Sequence, residues 1–221
     1  MRCQRTGRVP ADGGFGRDSV LKTIAIVDYG LGNLRSVIRG LERAGAAPVI
    51  TTNPDTLDTA DGIVLPGVGA FREGMEQLGP LKKTVLGNAG RVPLLGICLG
   101  MQMLMDESEE NGVHRGLGLI PGRVRKFPRF PGYKVPHMGW NSIVIEQPDN
   151  PLFAGCSPEE YVYLVHSYFE DTARENTLTT TEYIQQFASS IVSQDTFGVQ
   201  FHPEKSGAVG LKILKNFIDL V

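Results

Sequence analysis

Residues 92–102 read V-P-L-L-G-I-C-L-G-M-Q, and this stretch constrains the chain more than any other. The short apolar run from Val92 to Leu95 has the length and flanks of a buried strand. Gly96-Ile97-Cys98-Leu99-Gly100 follows. Gly-x-Cys-x-Gly is the cysteine form of the nucleophile elbow, in which a strand turns sharply into a helix and holds a reactive side chain at the crest. The glycines suit such a turn because side chains would clash there. Met101 to Met105 then starts a helix. Cys98 sits at its N-terminus, where the helix dipole and free N–H groups favour a thiolate. Taken alone, the pentapeptide fits a buried structural cysteine between two loose glycines as well.

The rest of the N-terminal half repeats one pattern. Lys22 to Asp28 is a buried-type strand, and Tyr29-Gly30-Leu31-Gly32-Asn33 is a glycine-rich turn. A helix is predicted over Leu34 to Ala44, with Val37, Ile38 and Leu41 on one face and Gly45 ending it. Strands follow at Ala47 to Thr51 and Asp61 to Leu65, the second running into Pro66-Gly67-Val68-Gly69. Two helices, around Phe71 to Leu78 and Leu81 to Ala89, lead to the elbow strand. Repeated β–loop–α units imply an α/β fold with a mostly parallel (mixed) open sheet flanked by helices. Sites in such sheets lie at the carboxyl ends of the strands, so the loops after Asp28, Leu65 and Leu95 should converge.

The pattern changes near Gly116. Leu117 to Asn141 is rich in Gly, Pro and Arg. Short β segments at Ser142 to Glu146, Tyr161 to Phe169, Leu178 to Tyr183 and Ala188 to Ser193 form a smaller antiparallel portion in the C-terminal half. Phe197 to Phe201 is a further β segment. Residues 207–221 close with a helix carrying Leu211, Leu214, Phe217 and Ile218 at helical spacing.

At 221 residues the chain is expected to form a single domain over 21–221. Residues 1–20 carry Arg2, Arg5, Arg8 and Arg17 among glycines and read as a flexible N-terminal extension without the apolar segment of a secretory signal. A net charge of -2 gives no pull toward nucleic acid or membrane. No apolar run reaches the ~20 residues that span a bilayer. Three cysteines, an odd and sparse set, suggest a reducing compartment, hence the cytoplasm. Cys156 reads as a small loop residue without a chemical role. The four histidines form no zinc-finger spacing with cysteine, and neither a metal nor a cofactor is expected.

Phe201-His202-Pro203-Glu204 is the second informative stretch. In extended backbone His202 and Glu204 point to one side, and Pro203 stiffens the pair. A cysteine nucleophile needs a base, and the base needs an orienting group. Cys98, His202 and Glu204 supply one of each.

G-I-C-L-G-M-Q at 96–102 with F-H-P-E at 201–204 resembles the class I (triad) glutamine amidotransferases. D-Y-G-L-G-N at 28–33, L-P-G-V-G-A-F at 65–71, P-H-M-G-W-N at 136–141, V-H-S-Y at 165–168 and F-H-P-E-K-S at 201–206 are similar to the glutaminase subunits of imidazole glycerol phosphate synthase. The motifs run in order from about residue 23 to the C-terminus. The resemblance implies a flavodoxin-like class I glutamine amidotransferase fold and hydrolysis of L-glutamine through a thioester on Cys98. His202 would move protons and Glu204 would orient it. The oxyanion donors implied are Leu99 N–H and the Gly67-Val68-Gly69 loop, where a peptide flip is linked to activation. Gln102, Glu110 and the backbone of Ser167 and Tyr168 would hold substrate, although Glu110 also fits a solvated helix end. A separate (β/α)8 cyclase subunit is implied as partner in a heterodimer, facing Asn33, Met138, Trp140, Tyr163 and Lys205. Trp140 alternatively fits a core aromatic. Three other readings stay open: a glutaminase serving another amidotransferase, an inactive glutaminase-like binding module, and a stress-response cysteine protein with a similar elbow. Met101, where several other elbows carry His, and the intact Cys98, His202 and Glu204 weigh against them.

Overall fold

A computed structural model describes residues 21–221; the expected N-terminal extension, residues 1–20, lies outside the described residues. The chain opens as β1 (Thr23–Val27), α1 (Leu34–Ala44), β2 (Ala47–Thr51), α2 (Pro54–Thr59), β3 (Gly62–Leu65), α3 (Phe71–Asn88), β4 (Leu94–Ile97) and α4 (Leu99–Leu104). The strands β2, β1, β3 and β4 lie side by side in that order and pair in parallel. Apolar residues on both faces of β1 explain why helices cover both sides. Ile24 and Ile26 sink into a core with Val37 and Leu41 of α1, whereas Ala25 and Val27 face Leu57 of α2 and Phe71, Leu78 and Val85 of α3.

The second half adds β5 (Met105–Ser108), β6 (His114–Arg115), β7 (Ile120–Lys126), β8 (His137–Ile145), β9 (Glu159–His166), β10 (Tyr168–Asp171), β11 (Thr177–Glu182), β12 (Gln186–Ser193), β13 (Thr196–Val199) and α5 (Gly207–Asp219). The strand β13 returns to pair in parallel with β4, and the sheet continues through β12, β10, β7, β5 and β6. From β12 onward the pairing is largely antiparallel. A side arm of β11, β8 and β9 branches from β12. α5 packs beside α1 and buries Ile213, Leu214, Phe217 and Ile218.

Several boundaries differ from the sequence reading. The two helices expected between residues 71 and 89 are one, which continues through Pro80. Pro80 removes one backbone donor, but Phe71, Gly74, Leu78, Leu81 and Val85 keep a continuous buried stripe, and that burial carries the helix across the defect. The helix after the elbow stops at Leu104, and Met105, expected in that helix, instead opens strand β5. The expected strand Tyr161 to Phe169 is two, interrupted at Ser167. The helix α2, capped by the Asn53 side chain on Asp55 N–H at 3.0 Å, was not expected.

Phe217 is fully buried between α5 and the sheet core. Phe217→Ala should lower unfolding stability by about 3–5 kcal/mol, read by chemical denaturation; an unchanged midpoint would exclude α5 from the cooperative core.

Candidate active site

The elbow forms where β4 ends. Cys98 adopts φ 54° and ψ -111°, a region that costs a non-glycine residue about 1–3 kcal/mol. Its N–H donates to Val199 O at 2.8 Å, and its carbonyl accepts from Gln102 N–H at 3.2 Å. The chain therefore leaves the β4–β13 ladder and enters α4 within one residue. A Cβ on Gly100 would run into the Leu65 carbonyl at the end of β3, so glycine is required for the helix to start this close to the sheet.

The register Ile97↔Val199 between β4 and β13 delivers the next segment, Gln200 to Glu204, beside the elbow. Gln200 Nε2 donates to Cys98 Sγ at 3.6 Å, and Gln102 Nε2 donates to Gln200 Oε1 at 2.9 Å. Glu204 Oε1 accepts from His202 Nδ1 at 2.9 Å, with both side chains almost wholly buried. The backbone between them is not extended as expected. Residues 203–205 form a single 3-10 turn, because Ser206 Oγ donates to the His202 carbonyl at 2.7 Å and Lys205 N–H to the same carbonyl at 3.0 Å. The turn still folds Glu204 back onto the ring. With Nδ1 engaged, His202 Nε2 is the free ring nitrogen; it is buried and makes no protein hydrogen bond. Burial disfavours charging His202, but Cys98 and Glu204 outweigh it and raise the imidazole pKa to about 9.

A cavity of about 390 Å³ opens over this group. Cys98, Leu99 and His202 line it together with Val68, Gly69, Gln102, Glu110, Ser167 and Tyr168. The residues expected to serve catalysis, the oxyanion and substrate thus converge, apart from Gly67 and Glu204, which lie behind this lining. Glu110 is not a helix end. It follows β5, and its Oε2 accepts from Phe71 N–H at 2.6 Å, which ties the loop to the start of α3. Outside the cavity lining, Tyr29 Oη donates to the Pro66 carbonyl at 2.5 Å. Burial, then the nearby Cys98, raises the Tyr29 phenol pKa, so it stays a neutral donor.

Gln200, His166, Tyr29 and Pro136 escaped the sequence reading as site residues. Gln200 had a signal: it occupies the end of the strand paired to the elbow strand. His166 had one too, beside Ser167 in V-H-S-Y. Of the residues expected to face a partner, Met138 and Trp140 are 63% and 58% exposed, which excludes the core alternative for Trp140. Trp140 meets the Tyr163 ring edge-on at 6.2 Å, and Lys205 Nζ lies 5.9 Å from the same ring. Asn33 is exposed at the start of α1. Among the described residues, no group of His, Cys, Asp or Glu side chains is disposed to hold a metal, and no helix is long and apolar enough to cross a membrane.

Comparison with known proteins adds an independent line. The family model for class-I glutamine amidotransferases matches residues 25–220. The chain belongs to the class-I glutamine amidotransferase family. Among relatives of this amidotransferase, imidazole glycerol phosphate synthase subunit HisH of Methanosarcina mazei is 55% identical over 204 residues, covering 90% of this chain and 100% of the relative. HisH of Natronomonas pharaonis is 51% identical over 207 residues, covering 89% and 94%. HisH of Archaeoglobus fulgidus is 47% identical over 198 residues, covering 90% and 98%. Solved structures share the amidotransferase fold at lower identity. PurLQS from Thermotoga maritima superposes with a TM-score of 0.70 at 18% identity, covering 90% of this chain and 99% of that one. The CTPS glutaminase domain of Trypanosoma brucei with bound acivicin gives 0.64 at 17% identity, covering 89% and 91%.

The His202 arrangement has a measurable consequence. Its folded pKa of about 9 exceeds the unfolded 6.5, so the resulting stabilisation is full below pH 6.5 and is lost as pH rises through about 9. In Glu204→Gln the His202 titration, followed by NMR of the ring, should move downward. The stability gap between wild type and variant should shrink across the same window. An unmoved titration would exclude Glu204 as a source of the raised pKa.

Proposed function

We propose that this chain hydrolyses L-glutamine on Cys98 as the glutaminase subunit of an imidazole glycerol phosphate synthase and passes the ammonia to a separate cyclase subunit. The observation that carries the reading is the convergence of Cys98 and His202 on one cavity, with Glu204 behind His202, which is held through Nδ1 and open at Nε2. The HisH relatives, similar over nearly their full length, support the assignment of the synthase.

In this mechanism the Cys98 thiolate attacks the carboxamide carbon of glutamine. The proton that His202 holds goes to the leaving nitrogen, and ammonia departs as a thioester forms. Neutral His202 then takes a proton from water, the resulting hydroxide attacks the thioester, and glutamate leaves with Cys98 regenerated. Glu204 keeps Nδ1 protonated and Nε2 directed at the sulfur. Gln200 donates to Sγ and stabilises its negative charge. Gln102, Glu110 and the Ser167–Tyr168 backbone are the proposed substrate contacts.

The tetrahedral oxyanion needs two N–H donors. Leu99 N–H, at the start of α4, is the fixed one in this reading, and the Gly67-Val68-Gly69 loop supplies the second after a peptide flip. A missing donor costs roughly 10² to 10³ in turnover, so favouring the flipped loop gives a partner control over hydrolysis. The proposed partner is a (β/α)8 cyclase docked over Asn33, Met138, Trp140, Tyr163 and Lys205, where an exposed tryptophan beside a tyrosine suits an interface anchor.

The test is glutamate release from the chain alone, with the cyclase, and with cyclase plus its ligand. Release should rise by roughly 10² or more across the series. Cys98→Ala should lose on the order of 10⁴-fold or more of it while the mutant complex still uses ammonium salt. Substantial hydrolysis by the variant would exclude Cys98 as nucleophile, and equal rates in all three conditions would exclude the gating.

A further inference from the structure

Two histidines outside the triad form a hydrogen-bonded pair next to the cavity. His137, the first residue of β8, lies directly across from His166, the last residue of β9. Both are at least nine-tenths buried. His137 Nδ1 and His166 Nε2 are 3.0 Å apart, and His166 Nδ1 is 2.7 Å from the Tyr168 carbonyl. At the other end Asn141 Nδ2 is 3.3 Å from His137 Nε2 and 2.9 Å from the Glu182 carbonyl.

The protons in this chain can be assigned from its ends. The Tyr168 carbonyl only accepts, so His166 Nδ1 carries a proton. A neutral His166 then has its lone pair on Nε2, which must accept from His137 Nδ1. The remaining lone pair, on His137 Nε2, accepts from Asn141. The amide orientation agrees, because Asn141 Nδ2 also donates to Glu182 O while Asn141 Oδ1 accepts from Ser142 N–H at 2.8 Å. Every donor therefore points the same way along the chain. A charge on either ring would set two N–H groups against each other. Burial lowers the pKa of His137 to about 4 and of His166 to about 3, so both rings are neutral at physiological pH. An aromatic box fixes the rings: His137 stacks on Tyr183 at 3.9 Å and 17°, and Phe187 lies 5.1 Å from His166.

The chain ends where the wall of the cavity is made. Between β9 and β10 the strand breaks at Ser167, and Ser167 and Tyr168 line the cavity. The His166 side chain clips the Tyr168 carbonyl across this break, while Phe127 N–H holds the Ser167 carbonyl at 3.2 Å. We propose that His137 and Asn141 are positioning residues, which through the tautomer-locked ring of His166 hold the Ser167–Tyr168 backbone in the geometry that receives the glutamine substrate. The inference rests on the glutaminase reading of the cavity. It also links that wall to β8, whose next residue, Met138, belongs to the exposed face.

Removing His137 leaves His166 Nε2 buried without a donor, and the His166 ring can then recover a partner only by releasing Tyr168. The expected effect falls on substrate capture. With the cyclase present, His137→Leu should raise the KM for glutamine by roughly tenfold and change kcat by less than about threefold. His137→Asn, whose amide nitrogen can stand where Nδ1 stood, should restore KM to within about twofold of wild type. A His137→Leu protein with lowered thermal stability and unchanged KM would reduce the pair to a structural role and overturn the proposal. Should that variant not fold, ring ¹⁵N NMR of the wild-type chain decides: both His137 and His166 are expected as the neutral Nδ1–H tautomer at pH 7. An Nε2–H or charged ring at either position overturns the chain. Failure of the wild-type complex to hydrolyse glutamine would overturn the reading of the cavity instead, and the NMR result tells the two failures apart.

Discussion

The parallel pairing of β4 with β13 is the interaction on which the site depends. Neither strand is long: each has four residues, all buried. Their ladder continues through Cys98 N–H to Val199 O, so the last hydrogen bond of the sheet is also the first of the elbow. That bond sets the height of the sulfur relative to the segment carrying Gln200, His202 and Glu204. Because side chains alternate along a strand, a slip of one residue would turn the β13 side chains to the opposite face of the sheet. Two features guard the register. The face of β13 away from the elbow is committed to the core through Phe197 and Val199, and Gly198 admits Met101 of α4 so closely that a Cβ there would meet it. The fold is thus specified most tightly where the chemistry is.

Burial sets the electrostatics of the same place. A lone imidazolium in this setting would be unfavourable. Here the Glu204 carboxylate lies behind the ring and Cys98 before it, both favour the protonated ring over the burial penalty, and the ring holds its proton to about pH 9. The second buried pair, His137 and His166, behaves in the opposite sense: burial lowers both pKa values, the hydrogen-bond partners are neutral, and the charge on His202 lowers His166 further. Two sets of histidines a short way apart are therefore held in different protonation states by their partners. His166 contributes to that contrast, since its neutrality leaves His202 as the charged ring at the cavity.

The features legible in the sequence were those set by neighbours in the chain. The elbow, the glycine at the end of α1, the apolar strands and the His-Pro-Glu segment each carry their own local signal. The parallel sheet followed from their alternation. What the sequence did not disclose depends on tertiary context. Pro80 signals a break, yet burial of Leu78, Leu81 and Val85 on one stripe keeps α3 whole. Glu110 follows an acidic run typical of a solvated surface, and its fixed position comes from Phe71 N–H, far away in sequence. The pairing of His137 with His166 arises from the register of two strands joined by a long connection, and no local pattern encodes it. Gln200 is an intermediate case, because its place at a strand end was a signal that went unread, while its contact with Cys98 required the neighbouring strand.

The loop after β3 shows how a rigid sheet can carry one adjustable part. Its first half is fixed: Tyr29 holds the Pro66 carbonyl, and a Cβ at Gly67 would run into Tyr29 Oη and Leu99. Its second half is free of such walls. Val68 is 40% exposed, Gly69 takes φ +107°, and a Cβ at Gly69 would meet nothing within 4 Å. Among the described residues, no backbone hydrogen bond ties down the N–H of Val68 or Gly69. A peptide rotation about Val68–Gly69 would therefore disturb neither β3 nor the elbow, and Leu99 N–H would stay in place throughout. In the proposed reaction this separation matters. The nucleophile, its base and one oxyanion donor are set by the sheet, while the other donor depends on a two-residue swing whose energy scale, about 3 to 4 kcal/mol, lies within reach of a docking protein. Control by a partner then needs no rearrangement of the triad, only a bias on a peptide that the fold leaves unpinned.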